Sequence, residues 1–249
     1  MITLNTWGGR AGLAGIKTFV EKHQNVDVFC LQEIWQTHDA SLIEAMDERL
    51  VTNLLEEIAA SLPGFRFYFR PQYRNIYGLA TFVRNEITVI EEGELFVFKE
   101  QGFENPVAVG NHARNIQYIT LKTLTGPVTV INFHGLWNGQ GKADTADRIL
   151  QSQKIAGFIN TLNNPCVLAG DFNLSPETQS LKILCDVCPR NLVNEFGVTS
   201  TRTSHYQKPG KFADYVLCNK IDVADFEVLP DEVSDHAPLL ASFACALIG

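Results

Sequence analysis

The amino-acid sequence predicts an α/β protein built from two packed β-sheets with helices on their outer faces. Two observations lead there. Apolar strand-like runs alternate with amphipathic helical segments near both ends of the chain, and a block of consecutive strands fills the middle. Two sheets back to back, covered outside by helices, bury every apolar stripe in this order of elements. At 249 residues and 45% hydrophobic content the chain can bury a substantial core. No Pro-, Gly- or Ser-rich linker or short repeat divides it, so one domain over residues 1–249 is expected.

The elements follow in order. Residues 2–6 form a short strand. In AGLAGIKTFVEKH, Leu13, Ile16, Phe19 and Val20 fall at helical spacing, and the buried-strand run VDVFCLQ completes a strand, helix, strand unit. DASLIEAMDERLVTNLLEEIAASL carries Leu42, Met46, Leu50, Leu54 and Ile58 at intervals of four and stops before Pro63 and Gly64, which predicts one long amphipathic helix. FRFYFR alternates Phe65, Phe67 and Phe69 with Arg66, Tyr68 and Arg70, the period of a strand with one buried face. GLATFVR, ITVIEEGELFVF, RNIQYITLKT and PVTVINFH predict a sheet of mainly neighbouring strands. TADRILQSQKIAGFINTL is an amphipathic helix, PCVLAG a buried strand and PETQSLKILCD a helix opened by Pro176. FADYVLC, IDVADFEVL and APLLASFAC close the chain as strands.

The formal net charge of -8 argues against a protein that coats nucleic acid through a broad basic surface, while a local basic patch stays open. The N-terminus reads directly as a strand, without the three regions of a signal peptide, and no apolar stretch approaches the roughly 18 residues of a membrane span. A cytoplasmic location is expected. Cys30, Cys166, Cys218 and Cys245 lie in apolar runs, and Cys185 with Cys188 forms a lone C-x-x-C without the second pair a zinc site needs. Reduced, structural thiols are expected.

Polar groups interrupt the apolar strands at five places. Asn5 ends ITLN, Glu33 follows VDVFCLQ, and His134 ends VTVINFH. Asp171 and Asn173 stand in VLAGDFNLSP, and Asp214 in FADYVL joins Asp235 and His236 in SDHAP. Singly, each has a structural explanation: a strand-end amide, a helix cap, a satisfied core histidine, an Asx-turn. An unpartnered buried charge costs several kcal/mol, roughly enough to unfold a marginal protein, so five such interruptions call for a shared purpose.

The ordered set N, QE, H, GDFN, DY and SDH resembles the signature of the endonuclease/exonuclease/phosphatase superfamily over essentially the whole chain, with LNTW, LQE, GDFNLSP and SDHAPLL as the specific stretches. The resemblance implies a four-layer α/β sandwich of the deoxyribonuclease-like kind, with two central mixed sheets flanked by helices and meeting at one end around the active site. It implies hydrolysis of a phosphoester, and it leaves the ester unidentified.

A cation that neutralises phosphate oxygens lowers the barrier to attack, and the hard oxygens of Glu33 and Asp235, direct or through water, suit Mg²⁺ first and Mn²⁺ second. By resemblance, Asp171 aligns the attacking water and Asp214 orients His236, with either Asp171 or His236 as general base. Asn173 and His134 would donate to phosphoryl oxygens, and Asn5 would position the metal or Asp171. Histidine at 134 is shared with pancreatic-type nucleases, sphingomyelinases and tyrosyl-DNA phosphodiesterases. Pancreatic-type enzymes pair it with a glutamate that IYGLATFVR does not offer, and their secreted, disulfide-bonded character is missing, so their substrate is not carried over.

Substrate contacts are expected from Arg114, which opens a strand and would meet either substrate or a neighbouring carboxylate, and from Trp137 in the loop HGLWNGQGK, where it would stack on a base or sugar or anchor the loop. Arg66, Tyr68 and Arg70, with Arg74 beyond, form either a solvated face or an anion-attracting one. Arg148 and Gln153 would hold their helix against the sheet, and TSTRTSHYQKPGK reads as another rim loop. The leading expectation is a Mg²⁺-dependent phosphodiesterase or phosphatase for a small or modest phosphoester, with no obligate protein partner evident. A DNA or RNA nuclease or DNA-repair phosphodiesterase ranks second. An inactive binding module on the same fold ranks third, because all core positions are filled.

Overall fold

The structure, a computed structural model, describes residues 1–105 and 111–247. The chain opens with β1 (Ile2–Asn5), a 3₁₀ turn (Trp7–Gly9), α1 (Leu13–Lys22) and β2 (Val28–Trp35), continuing through α2 (Ala40–Ile43), α3 (Leu54–Ser61), β3 (Phe65–Tyr73) and β4 (Tyr77–Arg84). It then builds β5 (Val89–Phe98), β6 (Arg114–Thr123), β7 (Gly126–His134), α4 (Ala146–Thr161), β8 (Cys166–Asp171), α5 (Gln179–Val187), β9 (Arg190–Asn191), α6 (Leu192–Glu195) and β10 (Asp214–Asn219), before β11 (Val223–Val228) and β12 (Leu239–Phe243). The strands form two six-stranded mixed sheets, ordered β11-β12-β1-β2-β4-β3 and β5-β6-β7-β8-β10-β9. Each has one parallel pair, β1 with β2 and β7 with β8, made by a crossover through α1 or α4.

Three apolar layers result. Ile16, Phe19 and Val20 of α1 join Leu54, Leu55 and Ile58 of α3 against the outer face of the first sheet. Ile155 and Ile159 of α4 and Leu181 and Leu184 of α5 do the same for the second. Between the sheets, an apolar patch of Val28, Cys30, Val83, Ile119, Leu121 and Val130 gives way to amides. Gln32 Nε2 donates to Asn132 Oδ1 at 2.7 Å across the layer, Asn132 Nδ2 donates to the Leu31 and Ala80 carbonyls and to Thr81 Oγ1, and Thr81 Oγ1 donates to Gln117 Oε1 at 2.7 Å.

Three sequence expectations are corrected. The single helix over residues 39–62 is two short helices, because the chain between them bonds elsewhere: Val51 N donates to Gly8 O and Thr37 N to Thr52 O, while Arg10 Nε holds Asp47 at 3.2 Å. These contacts fold the segment onto the 3₁₀ turn. β4 belongs to the first sheet, between β2 and β3, so the consecutive middle strands divide between the two sheets. α5 is opened by Thr178, whose side chain accepts from Leu181 N, and not by Pro176; Asp144 accepts from Gln179 N and Ser180 N at the same end.

β3 is an edge strand with Phe67 45% exposed, while Tyr68 on its other face packs between the sheets. Phe65 and Phe69, by contrast, pack on the first sheet's outer core. The six cysteines are free, and burial pushes the Cys30 thiol up to about 12. No described helix is long and apolar enough to cross a membrane.

Replacing Asn132 by Ala leaves Gln32 Nε2 with one acceptor fewer in a buried layer and should cost about 1–3 kcal/mol, read as a lower urea midpoint at unchanged slope; an unchanged midpoint would show the amide layer to be dispensable.

Candidate active site

The parallel strands of both sheets run out at one end of the sandwich, where α/β proteins collect ligand-binding groups. Asn5 ends β1 and pairs in register with Gln32 of β2. His134 ends β7 directly opposite Asp171 at the end of β8, and Asp171 is in turn opposite Asp214 at the start of β10. Three candidate site side chains thus occupy one row across three adjacent strands. The row depends on a close approach at Gly170, with φ +143°, where a Cβ would lie 1.9 Å from the Phe133 carbonyl oxygen. Asp235 and His236 arrive on the loop before β12, with Ser234 Oγ donating to Asn5 O at 2.6 Å and accepting from His236 N.

Glu33 reaches the site by irregular backbone. The β2–β4 pairing shifts register between Leu31 and Ile34, and Glu33 has φ +59°, an unfavourable left-handed conformation for a non-glycine residue. The bulge lets consecutive residues serve different places: Gln32 bonds between the sheets, and Glu33 Oε1 accepts from Asn5 Nδ2 at 3.1 Å.

Asn5 Nδ2 also donates to Asp171 Oδ2 at 2.9 Å, joining the two sheets through one amide. Asp171 Oδ1 accepts from Asn173 N, and Asn173 Nδ2 donates to Gly135 O. His134 Nε2 and His236 Nε2 each lie 3.7 Å from Asp171 Oδ2. His236 Nδ1 is 2.8 and 2.9 Å from the two Asp214 oxygens, and Thr201 Oγ1 donates to Asp214 Oδ2 at 3.0 Å. Asp171, Asp214 and His236 bring ligand atoms within 4.8 Å of one another, close enough to hold a metal ion.

Burial dominates the electrostatics. It pushes the Glu33 carboxyl up to about 7, against the opposing pull of Asn5 and Arg10, and Asp214 up to about 6. It pushes His236 down to about 4 despite nearby Asp171, and His134 well below the usual imidazole range, with Arg114 and His112 adding to the effect. Burial thus favours the neutral form of both imidazoles. An Nδ1–H bonded to Asp214 leaves the Nε2 lone pair of His236 on the Asp171 side.

The eight motif residues, Asn5, Glu33, His134, Asp171, Asn173, Asp214, Asp235 and His236, therefore meet at one end. Arg114 lies behind them, 2% exposed, donating to Gln72 Oε1 at 3.1 Å with Nη1 3.4 Å from His134 Nδ1. Trp137 is half-buried after β7 and makes no hydrogen bond or ring contact with a site residue among the described residues. The arginines of β3 and the turn after it are engaged: Arg66 donates to the Asn85 and Ile87 carbonyls, Arg70 pairs with Glu92, and Arg74, just past the strand, with Glu104. Arg148 braces the loop after β7 through the Leu136, Ala143 and Gly141 carbonyls, but its helper is Gln151, which accepts from Leu136 N; Gln153 is exposed.

Sequence reasoning missed Arg10, Gln72, Thr201, Arg202 and Ser234 as parts of the site. Ser234 stood inside the SDH motif, where a hydroxyl beside two site residues was a readable signal. The others come from loops and strands whose local pattern is ordinary.

Two mixed sheets flanked by helices, with a carboxylate and histidine site where their strands end, define a deoxyribonuclease-like α/β sandwich. The model of the Endonuclease/Exonuclease/phosphatase family matches residues 2–236, and the chain belongs to that family, whose members are generally hydrolases of phosphoesters. No curated protein sequence matches it. Among solved structures, a family member from Bacteroides thetaiotaomicron superposes with a TM-score of 0.73 at 16% identity, covering 97% of this chain and 93% of that one. A mannosyl-6-phosphatase from Bacteroides thetaiotaomicron VPI-5482 gives 0.71 at 15% identity, covering 98% of both chains. The human Nocturnin catalytic domain with bound sulfate gives 0.63 at 16%, covering 98% of this chain and 92% of that one.

His112 packs behind this site against Tyr77, and burial holds it down at about 3. It therefore takes up a proton in the unfolded chain below about pH 6.5 but not in the folded one. Stability is full above that pH and falls as pH drops toward 3. His112→Gln should recover about 1–2 kcal/mol of the loss between pH 7 and pH 5, measured by urea unfolding at both pH values; equal losses in the two proteins would contradict a buried neutral imidazole.

Proposed function

We propose that the protein is a divalent-metal-dependent phosphoester hydrolase, acting on a small or modest phosphoester. The observation that carries the reading is the placement of Asp171: Oδ2 accepts from Asn5 and lies 3.7 Å from both His134 Nε2 and His236 Nε2, with Asp214 holding His236 from behind. That arrangement surrounds one acceptor oxygen with groups able to orient a water and a phosphoryl group.

The donor set fits a hard cation. Asp235 Oδ1 is buried without a hydrogen-bond partner, and the Glu33 carboxyl is undercompensated by its surroundings. Both oxygens of Asp214 are engaged by His236, which leaves Glu33 and Asp235 as the residues that would hold Mg²⁺, or Mn²⁺ in its place. Held there, such a cation would supply charge neutralisation for the phosphoryl group and the departing group.

The chain's own residues do the rest. Asp171 Oδ2, kept in place by Asn5 and Asn173, orients a water and takes its proton as the water oxygen bonds to phosphorus and the ester P–O bond breaks. Asp214 fixes the His236 ring so that Nε2 faces the reacting group, and Asn173 Nδ2 and His134 donate to phosphoryl oxygens as charge moves onto them. Arg114 positions His134 from Nδ1. The net charge of -8 and the pairing of the β3 arginines with acids and carbonyls weigh against a nucleic-acid track and for a compact substrate.

Hydrolysis of generic phosphodiesters and phosphomonoesters with Mg²⁺ or Mn²⁺, abolished by EDTA, is the expected result. Glu33→Gln should lower kcat/KM by on the order of 100-fold and raise the metal concentration for half-activity, and His236→Ala should lower kcat by about 100- to 10,000-fold. Full turnover in either variant, or in EDTA, would refute these roles.

A further inference from the structure

Arg202 lies between α6 and β10, bridged through its backbone to His236. Ala237 N donates to Thr201 O at 3.0 Å, and Glu232 accepts from both the backbone N–H and the hydroxyl of Ser204. The segment is thus pinned to the loop carrying Asp235 and His236. The Arg202 side chain is only 6% exposed, yet Nε and Nη1 are buried without a hydrogen-bond partner among the described residues. Its nearest acid is Asp235, with Nη1 3.7 Å from Oδ2, outside hydrogen-bond distance.

A second cation stands beside it. The Arg202 guanidinium sits 4.1 Å from the centroid of the Tyr206 ring and Lys142 Nζ 5.2 Å from the same centroid. Lys142 Nζ donates to Phe212 O at 2.9 Å. Both charges act on Asp214 and His236, and Arg202 is, after burial, the main influence lowering Lys142. Asp171, Asp214 and Asp235 offset part of the repulsion at Lys142, but the planar fork of Arg202 keeps buried donors that no carboxylate reaches within hydrogen-bond distance, which an incoming anion would satisfy. A phosphomonoester carries one more negative charge than a diester and three free oxygens in place of two, so that a guanidinium can engage two of them in bidentate fashion and leave a third to other donors.

We propose that Arg202, with Lys142 beside it on Tyr206, is the specificity-determining residue that receives the second negative charge of a phosphomonoester, so that monoesters are the preferred substrate class. This rests on the phosphoester-hydrolase reading and adds the substrate to it.

The test compares p-nitrophenyl phosphate with bis(p-nitrophenyl) phosphate in the presence of Mg²⁺. The unaltered protein should favour the monoester. Arg202→Met should lower monoester kcat/KM by on the order of 100-fold, mainly through KM and with an unchanged melting temperature. The diester value should fall far less, so that the selectivity ratio drops about tenfold or more. Arg202→Lys should restore part of the ratio. Diester preference in the unaltered protein, or equal losses on both esters in Arg202→Met, overturns the proposal.

If the unaltered protein hydrolyses neither ester with Mg²⁺ or Mn²⁺, the hydrolase reading fails, and titration calorimetry with inorganic phosphate and dimethyl phosphate decides the subsite alone. Tighter binding of phosphate than of dimethyl phosphate, weakened about tenfold or more in Arg202→Met, supports it; equal binding, no binding, or no effect of the substitution overturns it.

Discussion

The amide layer between the sheets is the constraint on which the rest of the structure depends. Gln32 and Asn132 face each other across a buried interface, where the Gln32 amide nitrogen and both groups of the Asn132 amide find partners in one register. A slip of β7 by one residue would exchange Asn132 for Ile131 or Phe133 at that interface and carry His134 away from Asp171. Apolar packing alone, as in the Val28 and Val130 patch farther from the site, is more tolerant of such slips because it has no directional bonds to lose. Registry at the end that carries the candidate site is therefore set by polar contacts.

From that registry the site follows as a set of local departures from regular backbone. Glu33 at φ +59°, Asn173 at φ +53° and the glycine before Asp171 are places where β geometry is interrupted to aim a side chain. The buried charge has the same character. Glu33 and Asp214 sit where burial works against their ionised forms, and the two histidines sit where it works against theirs. Such a site is held in place by its scaffold, which keeps ionisable groups where burial works against their charged forms.

Much of the site was legible because its residues violate the apolar pattern of strands at their ends. Asn5, His134 and Asp171 are conspicuous against ITL, VTVINF and VLAG, and the order of the motifs carried the family resemblance. Arg202 was not conspicuous, since an arginine in a polar loop looks solvated until the fold buries it to 6% exposure. The same limit applied to the segment between α2 and α3. Its apolar spacing of four fits a helix, and only contacts with Gly8, Arg10 and Thr37, distant in sequence, draw its backbone groups away from helical bonding. The partition of the middle strands was equally hidden, because consecutive strands read alike whichever sheet they join.

The sequence by itself determined the alternation of strands and helices, the two apolar-faced sheets and the residues that carry charge at strand ends, because these depend on periodicity and on the cost of burying polar groups. Only the tertiary structure decided which sheet each strand entered, how Asn5 came to bridge Glu33 and Asp171, and which loop arginine became buried, because those outcomes depend on contacts between residues far apart in sequence, 166 positions for Asn5 and Asp171 and 240 for Met1 and Ala241. Local propensity holds no information about partners at that separation.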